Sequence, residues 1–261
     1  NLFCTNAWAL LSFEDATYPE LAPSGRALAM GNAFICKVDD ATSVLYNPAG
    51  LGTVRYPHFH LANFQVEFNQ DWAGLSTSGE LSEFTDKFTN SLDVEGLRKL
   101  MLESPGLLTH SRLSFLPNFT TRYFSMGYLF STSTRATLGT ETGAKFEFAN
   151  RRDQGPYLGL NLSLFGGVIK IGAAGFYLMR QEMIKDVDKD TVISVGNDEF
   201  NRGSGVIVNG GVKVTLPWTG LPTIAATIHN AFDQDFSAEG AGSPTKIKKS
   251  ITAGISIAPH L

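Results

Sequence analysis

Apolar and polar positions alternate most regularly in the second half of the chain. Leu158, Leu160, Leu162 and Leu164 alternate with Tyr157, Gly159, Asn161 and Ser163, and Ile169, Ile171, Ala173 and Tyr177 with Lys170, Gly172 and Ala174. Val206, Val208, Val212, Val214 and Leu216 stand against Asn209, Gly211, Lys213 and Thr215; Ile251, Ala253, Ile255 and Ile257 stand against Ser250, Thr252, Gly254 and Ser256. A period of two predicts strands with one greasy face and one wet face. Each segment runs to about ten residues, the ~9–11 that a tilted strand needs to cross a bilayer. A soluble sandwich alternates too, so alternation alone leaves both readings open. The wet face favours a membrane barrel, because it is rich in Gly, Ser, Asn and Thr and poor in the Lys/Glu pairs that coat soluble sheets. Tyr157, Phe165, Tyr177 and Trp218 mark segment ends, where interfacial aromatics belong.

The connections alternate short and long. Gly166-Gly167 and residues 217–222 read as tight turns, whereas 184–205 and the stretch from Asp233 are long and polar. In outer-membrane barrels short turns face the periplasm and long loops the outside. Counting back, 157–165 runs inward, 143–150 outward and 112–131 inward, so the first strand, 57–68, runs outward. This takes 112–131 as one strand broken at Pro117, eight strands in all; splitting it would reverse the order. Residues 79–104 read as a helical insertion over the outer mouth, with Leu81, Phe84, Phe88 and Leu92 at helical spacing. Asp93 is the cap of a second helix carrying Leu97, Leu100 and Met101. Phe84, Phe88, Leu97 and Met101 are candidates either for packing on the rim or for a groove that docks a greasy ligand.

Composition agrees with strands and tight turns: the 261 residues are 18% charged and include 26 Gly, 19 Phe and 7 Tyr. A net charge of −4 gives no reason to expect nucleic acid. Residues 1–9, closing on Ala7-Trp8-Ala9, read as the remnant of an export signal, or else as a truncated apolar strand. Cleavage there removes Cys4 and leaves Cys36 as a small buried apolar residue. No apolar run reaches the 18 residues of a helical span.

Candidate chemistry is sparse. Gly25, Gly31 and Gly50 fit neither a dinucleotide fingerprint nor a P-loop. Asp39 and Asp40, as neighbours, are expected to point apart and lack a His or Cys partner at ligand spacing. Asp186, Asp188 and Asp190 begin like a calcium loop, but Thr191 and Asn197 replace its Gly and Glu. His58 and His60 lack a third ligand. With no nucleophile signature either, we expect neither an enzyme nor a cofactor.

Residues 25–51 carry small-Gly25-Arg26-Ala27, Met30-Gly31-x-Ala33-Phe34, Asp39-Asp40-Ala41 and Tyr46-Asn47-Pro48-Ala49-Gly50-Leu51. This segment resembles the N-terminal hatch of FadL-type outer-membrane transporters of hydrophobic compounds, and is similar to that of the PorV-like barrels of type IX secretion. The resemblance implies an all-β fold, a transmembrane antiparallel barrel of about fourteen strands in a Gram-negative outer membrane. Residues 10–55 would plug it and 56–261 would form part of its wall. Eight strands enclose only side chains, so the hatch does not fit inside them; further strands are expected beyond Leu261. The implied function is passive uptake of hydrophobic compounds such as long-chain fatty acids, with lipid and hydrophobic small molecules as partners. The alternative is a barrel that transports nothing and holds a secreted or surface protein. Arg26, Phe34, Asp39, Asp40, Asn47 and Pro48 are the ligand-binding or gating residues, with Arg26 either locked to Asp39 or Asp40 or meeting a carboxylate ligand.

Overall fold

The alternating segments form one antiparallel sheet of eleven strands. The computed structural model describes residues 21–61, 63–77, 93–141, 143–193, 199–239 and 242–258. The strands are β1 (His58–His60), β2 (Phe64–Phe68), β3 (Leu108–Phe115), β4 (Asn118–Thr120), β5 (Phe124–Leu138), β6 (Lys145–Leu164), β7 (Ile169–Asp188), β8 (Asn201–Thr215), β9 (Thr223–His229), β10 (Ser237–Ala238) and β11 (Ser250–Ser256). The main path runs β1-β4-β5-β6-β7-β8-β9-β11, with β2 on β3, β3 on β5 and β10 on β8. Among the described residues β1, β2, β10 and β11 each pair on one side only, and the sheet is not closed.

Eleven strands replace the expected eight for identifiable reasons. The segment 57–68 is interrupted between β1 and β2. Residues 112–131 break at Leu116-Pro117, as expected, into β3 and β4, and β10 is a further short strand. Residues 112–131 also contain a reversal, which lies at Thr121–Tyr123. There the Thr121 hydroxyl accepts from the amides of Tyr123 and Phe124, a turn made without Gly or Pro. Conversely, 143–150 and 157–165 are the two ends of one strand, β6, which runs straight through Gly155-Pro156. Pro156 pairs in register with Tyr128 of β5, but no bridge to β7 forms between Gln154 and Tyr157. The ladder loses bonds there and resumes. One reversal missed and one wrongly inserted cancel, so 57–68 does run from the short-turn end to the long-loop end. Residues 143–150 and 124–131, however, run opposite to expectation.

Register assigns the two faces. Leu160 pairs with Ala173, Ala173 with Gly210, Gly210 with Ile228 and Ile228 with Ile251. On the opposite face Asn161, Gly172, Gly211, Thr227 and Thr252 follow one another across the same strands. The apolar face is exposed: Leu160 is 54% and Ile255 74% accessible. The small-residue face is covered by residues 21–55. Two layers of leucine meeting across a dry interior, as in a sandwich, are therefore absent from the described residues.

Helices α3 (Gln70–Thr77) and α4 (Val94–Glu103) lie at the long-loop end. Asp93 caps α4 as expected, accepting from the Gly96 amide. Leu97, Leu100 and Met101 are buried with Leu75 of α3 against Ala136, Leu138, Phe146 and Phe148. Those sheet residues share the parity of Leu158 and Leu160, so α3 and α4 cover one end of the apolar face. Helix α3 was not foreseen. No described helix is long and apolar enough to cross a membrane.

Candidate functional site

The covered face is built from the N-terminal segment upward. Helix α1 (Gly25–Ala29) ends where Gly31 and Asn32 both take left-handed φ, +59° and +64°. That conformation suits Gly and Asn, and it reverses the chain so that the Asn32 amide meets the Ala27 carbonyl at 2.7 Å. Asp40 then accepts from the Thr42 amide and hydroxyl, a side-chain turn that opens the short helix α2 (Ser43–Tyr46). Asn47 accepts from the Ala49 amide and Pro48 starts the 3-10 turn Pro48–Thr53.

This segment presses on the sheet where the sheet has no side chains. A Cβ on Gly172 would lie 2.2 Å from the Pro48 carbonyl carbon, and one on Gly211 2.0 Å from Asn47 Oδ1. Gly159 admits Val44 in the same way. Asn47 donates to the Ile35 and Val212 carbonyls, and Asn209 donates to the Val44 carbonyl. Phe34 is fully buried and meets Tyr46 edge-on at 5.3 Å. Burial also pushes the Tyr46 hydroxyl up to about 12. We call residues 21–55 the plug.

Arg26 Nη1 donates to Asp39 Oδ1 at 2.7 Å and to Asp40 Oδ2 at 3.0 Å. The two carboxylates therefore converge on one guanidinium rather than pointing apart. The hydrogen bond Arg26 donates to Asp39, with the charges of both acids, raises the Arg26 pKa. The pair is solvent-exposed and contributes at most about 1 kcal/mol. Burying Phe34, Val44, Leu45 and Leu51 contributes about 1.5–3 kcal/mol each. Burial, not the lock, holds the plug.

A second insertion enters from the long-loop end. Residues 230–239 and 242–249 fold over the covered face, placing Phe236 and Ile247 in the same core as the plug. Their anchor is a buried set of charges: Arg180 with Asp153 and Arg151 with Glu182, both at 2.6 Å. Arg180, fully buried, donates to the Thr245 carbonyl and stacks on Phe236, while Glu182 accepts from the Thr245 amide. Sequence reasoning overlooked this set, although opposite charges two residues apart in both β6 and β7 share one face and signal it.

On the opposite, apolar face a cavity of about 920 Å³ lies beside α3. Phe64, Val66, Phe68, Trp72, Leu113 and Phe130 line one part; Thr132, Asn150, Arg152, Gln154 and Gln181 line the other. Arg152 stacks on Phe200 at 5.6 Å and forms no ion pair with a described carboxylate. A smaller cleft of about 280 Å³ lies on the plug side, lined by Pro23, Gly25 and Leu28. Both cavities are lined by Phe64, Val66, Glu67 and Arg112, so β2 and β3 alone separate them.

Of the expected site residues, Arg26, Phe34, Asp39, Asp40, Asn47 and Pro48 come together in the plug. Leu97 and Met101 are buried between α4 and the sheet; their expected groove partners Phe84 and Phe88 lie outside the described residues, as do 1–9. Asp186 pairs with Lys145, and no described group of His, Cys, Asp and Glu is arranged to hold a metal. Comparison with protein families, curated proteins and solved structures found no match to this chain.

Proposed function

We propose that the chain forms the plugged wall of a FadL-like outer-membrane barrel that takes up hydrophobic molecules with a polar or anionic head, such as long-chain fatty acids. One observation carries this reading: the sheet exposes its apolar face and buries its small-residue face under its own N-terminal segment. A soluble protein gains stability by the reverse arrangement, since exposing a contiguous leucine and isoleucine surface forfeits about 25 cal/mol per Å². In a bilayer that surface faces lipid.

The cavity beside α3 suits such a molecule. Its size falls within the ~300–1,000 Å³ of small-molecule sites. Aromatic and aliphatic residues at one end receive a tail, and Arg152 with its amide neighbours receives a head. The cleft on the plug side lies one strand pair away and gives an inward route. No covalent chemistry is required. Uptake of radiolabelled oleate by cells with and without the full-length gene tests the reading. Uptake that depends on the gene and falls several-fold in Arg152→Leu is expected. Unchanged uptake, with a secreted protein co-purifying, would overturn transport in favour of a barrel that holds a protein partner.

A further inference from the structure

Two buried lysines on the covered face form no ion pair with a described carboxylate. Lys170 of β7 and Lys213 of β8 are only 6% and 4% accessible, and they are direct cross-strand partners. Directly opposed side chains have Cβ atoms about 4.5–5.5 Å apart, and like charges so placed repel. Lys213 reaches the Val38 carbonyl of the plug at 3.5 Å, and Lys170 donates to the Gly167 carbonyl in the adjoining turn. A carbonyl offers a partial charge to an ammonium with three donors, so neither contact neutralises the group.

Arg122 adds a third cation. A Cβ on Gly167 would lie 3.5 Å from Arg122 Nη2 and 4.0 Å from Lys170 Nζ, so the two groups flank the same turn. None of the three forms an ion pair with a described carboxylate; Asp39 of the plug acts on Lys213 only through its charge, and its carboxylate, like that of Asp40, is held by Arg26. Asn161 and Ser163 complete a polar surround, with the Asn161 amide donating to the Arg122 carbonyl and to Ser163 Oγ. Buried charges are normally paired, because desolvating an isolated ion costs several kcal/mol.

We infer that Lys170, Lys213 and Arg122 form a binding site for one oxyanion, a carboxylate or phosphate, at the short-turn end of the covered face. The bound anion bridges the two ammonium groups and ties the plug to the wall through Lys213. Arg122, at the exposed turn, is the point of entry. This inference rests on the geometry of the covered face and not on the cavity beside α3, so either stands without the other.

The test uses the full chain folded in detergent micelles at neutral pH. Thermal unfolding is followed with inorganic phosphate or octanoate against chloride at equal ionic strength. At a hundredfold excess over Kd the midpoint should rise by about 5 °C in the wild type. That rise should vanish in Lys170→Met and Lys213→Met and shrink in Arg122→Gln. A response to octanoate alone assigns the site to an amphiphile head; a response to phosphate as well assigns it to oxyanions generally. Should the methionine variants fail to fold, phosphorus NMR of the wild type serves instead: phosphate broadened by the protein should sharpen on adding octanoate. No anion-specific rise, or an equal rise in folded methionine variants, overturns the inference.

Discussion

At Gly172 the plug and the wall approach so closely that no side chain fits between them. A Cβ there meets the backbone of Pro48 and Ala49, which cannot move as a side chain does. Gly172→Val is therefore expected to destabilise plug docking by about 3 kcal/mol, whereas Arg26→Ala removes an exposed pair and costs at most about 1 kcal/mol. Cys36 reports the difference, since it is buried and burial raises its thiol pKa. Maleimide labelling of Cys36 should accelerate about a hundredfold in Gly172→Val and no more than about fivefold in Arg26→Ala. Equal rates would show that the lock, not the close packing, holds the plug. The parts of this site legible in the sequence are those with local signatures: Asn47-Pro48 and the Arg26 and Asp39-Asp40 pattern. Arg152 and the lysine pair were not, because their meaning depends on which partners a distant strand does or does not supply.

Glu95 sets a pH dependence at the long-loop end. Hydrogen bonds from the Arg98 guanidinium, followed by the Ile193 amide and the Arg98 charge, hold its carboxyl at about 2, below the ordinary 4.5. A carboxyl with a depressed folded pKa stabilises fully above its unfolded value and loses that contribution as pH falls through the folded one. Amide protection of Leu97–Met101 should thus decline between about pH 4.5 and 2, and Glu95→Gln should remove that step. Persistence of the full step in Glu95→Gln would place its origin elsewhere.

At the scale of elements, the strands are longer than a membrane requires. β6 and β7 have 20 residues each, about 66 Å of strand against a hydrocarbon core of about 30 Å. Exposed leucines occupy only the short-turn half of β6, and Gln154 and Arg152 follow on the same face. Leu160→Arg is expected to cost about 2–4 kcal/mol when folding is measured in lipid vesicles, and Gln154→Arg about 0–1 kcal/mol. Equal costs would contradict a lipid boundary between them. The docking of residues 230–239 and 242–249 depends on buried charges: Arg180→Met should cost about 3–5 kcal/mol by leaving Asp153 unpaired, and Asp153→Leu added to it should recover most of the loss. Strand existence was legible because a period of two persists wherever one face is greasy. Strand ends were not, since Thr121–Tyr123 turns on hydroxyl bonds that composition does not advertise and Gly155-Pro156 mimics a turn within a continuous strand.

For the whole molecule, the order of layers follows from the alternation: apolar residues on the exposed face, small residues on the covered face, plug and inserted loop upon the latter. The helices α3 and α4 cover only the long-loop end of the apolar face, which leaves the band from Met126 to Ile255 bare. That the first strand's direction survived two opposite errors in counting reversals shows how topology drawn from connections rests on parity rather than on any single turn. The most direct test of the account places nitroxide labels at positions 158–163 of the protein in lipid vesicles and measures collision with oxygen and with a water-soluble nickel chelate. Labels replacing Leu158, Leu160 and Leu162 should meet oxygen freely and the chelate hardly at all, while those replacing Gly159, Asn161 and Ser163 should meet little of either. Ready collision of the chelate with the leucine positions would contradict a lipid-facing wall, and the transport proposal with it.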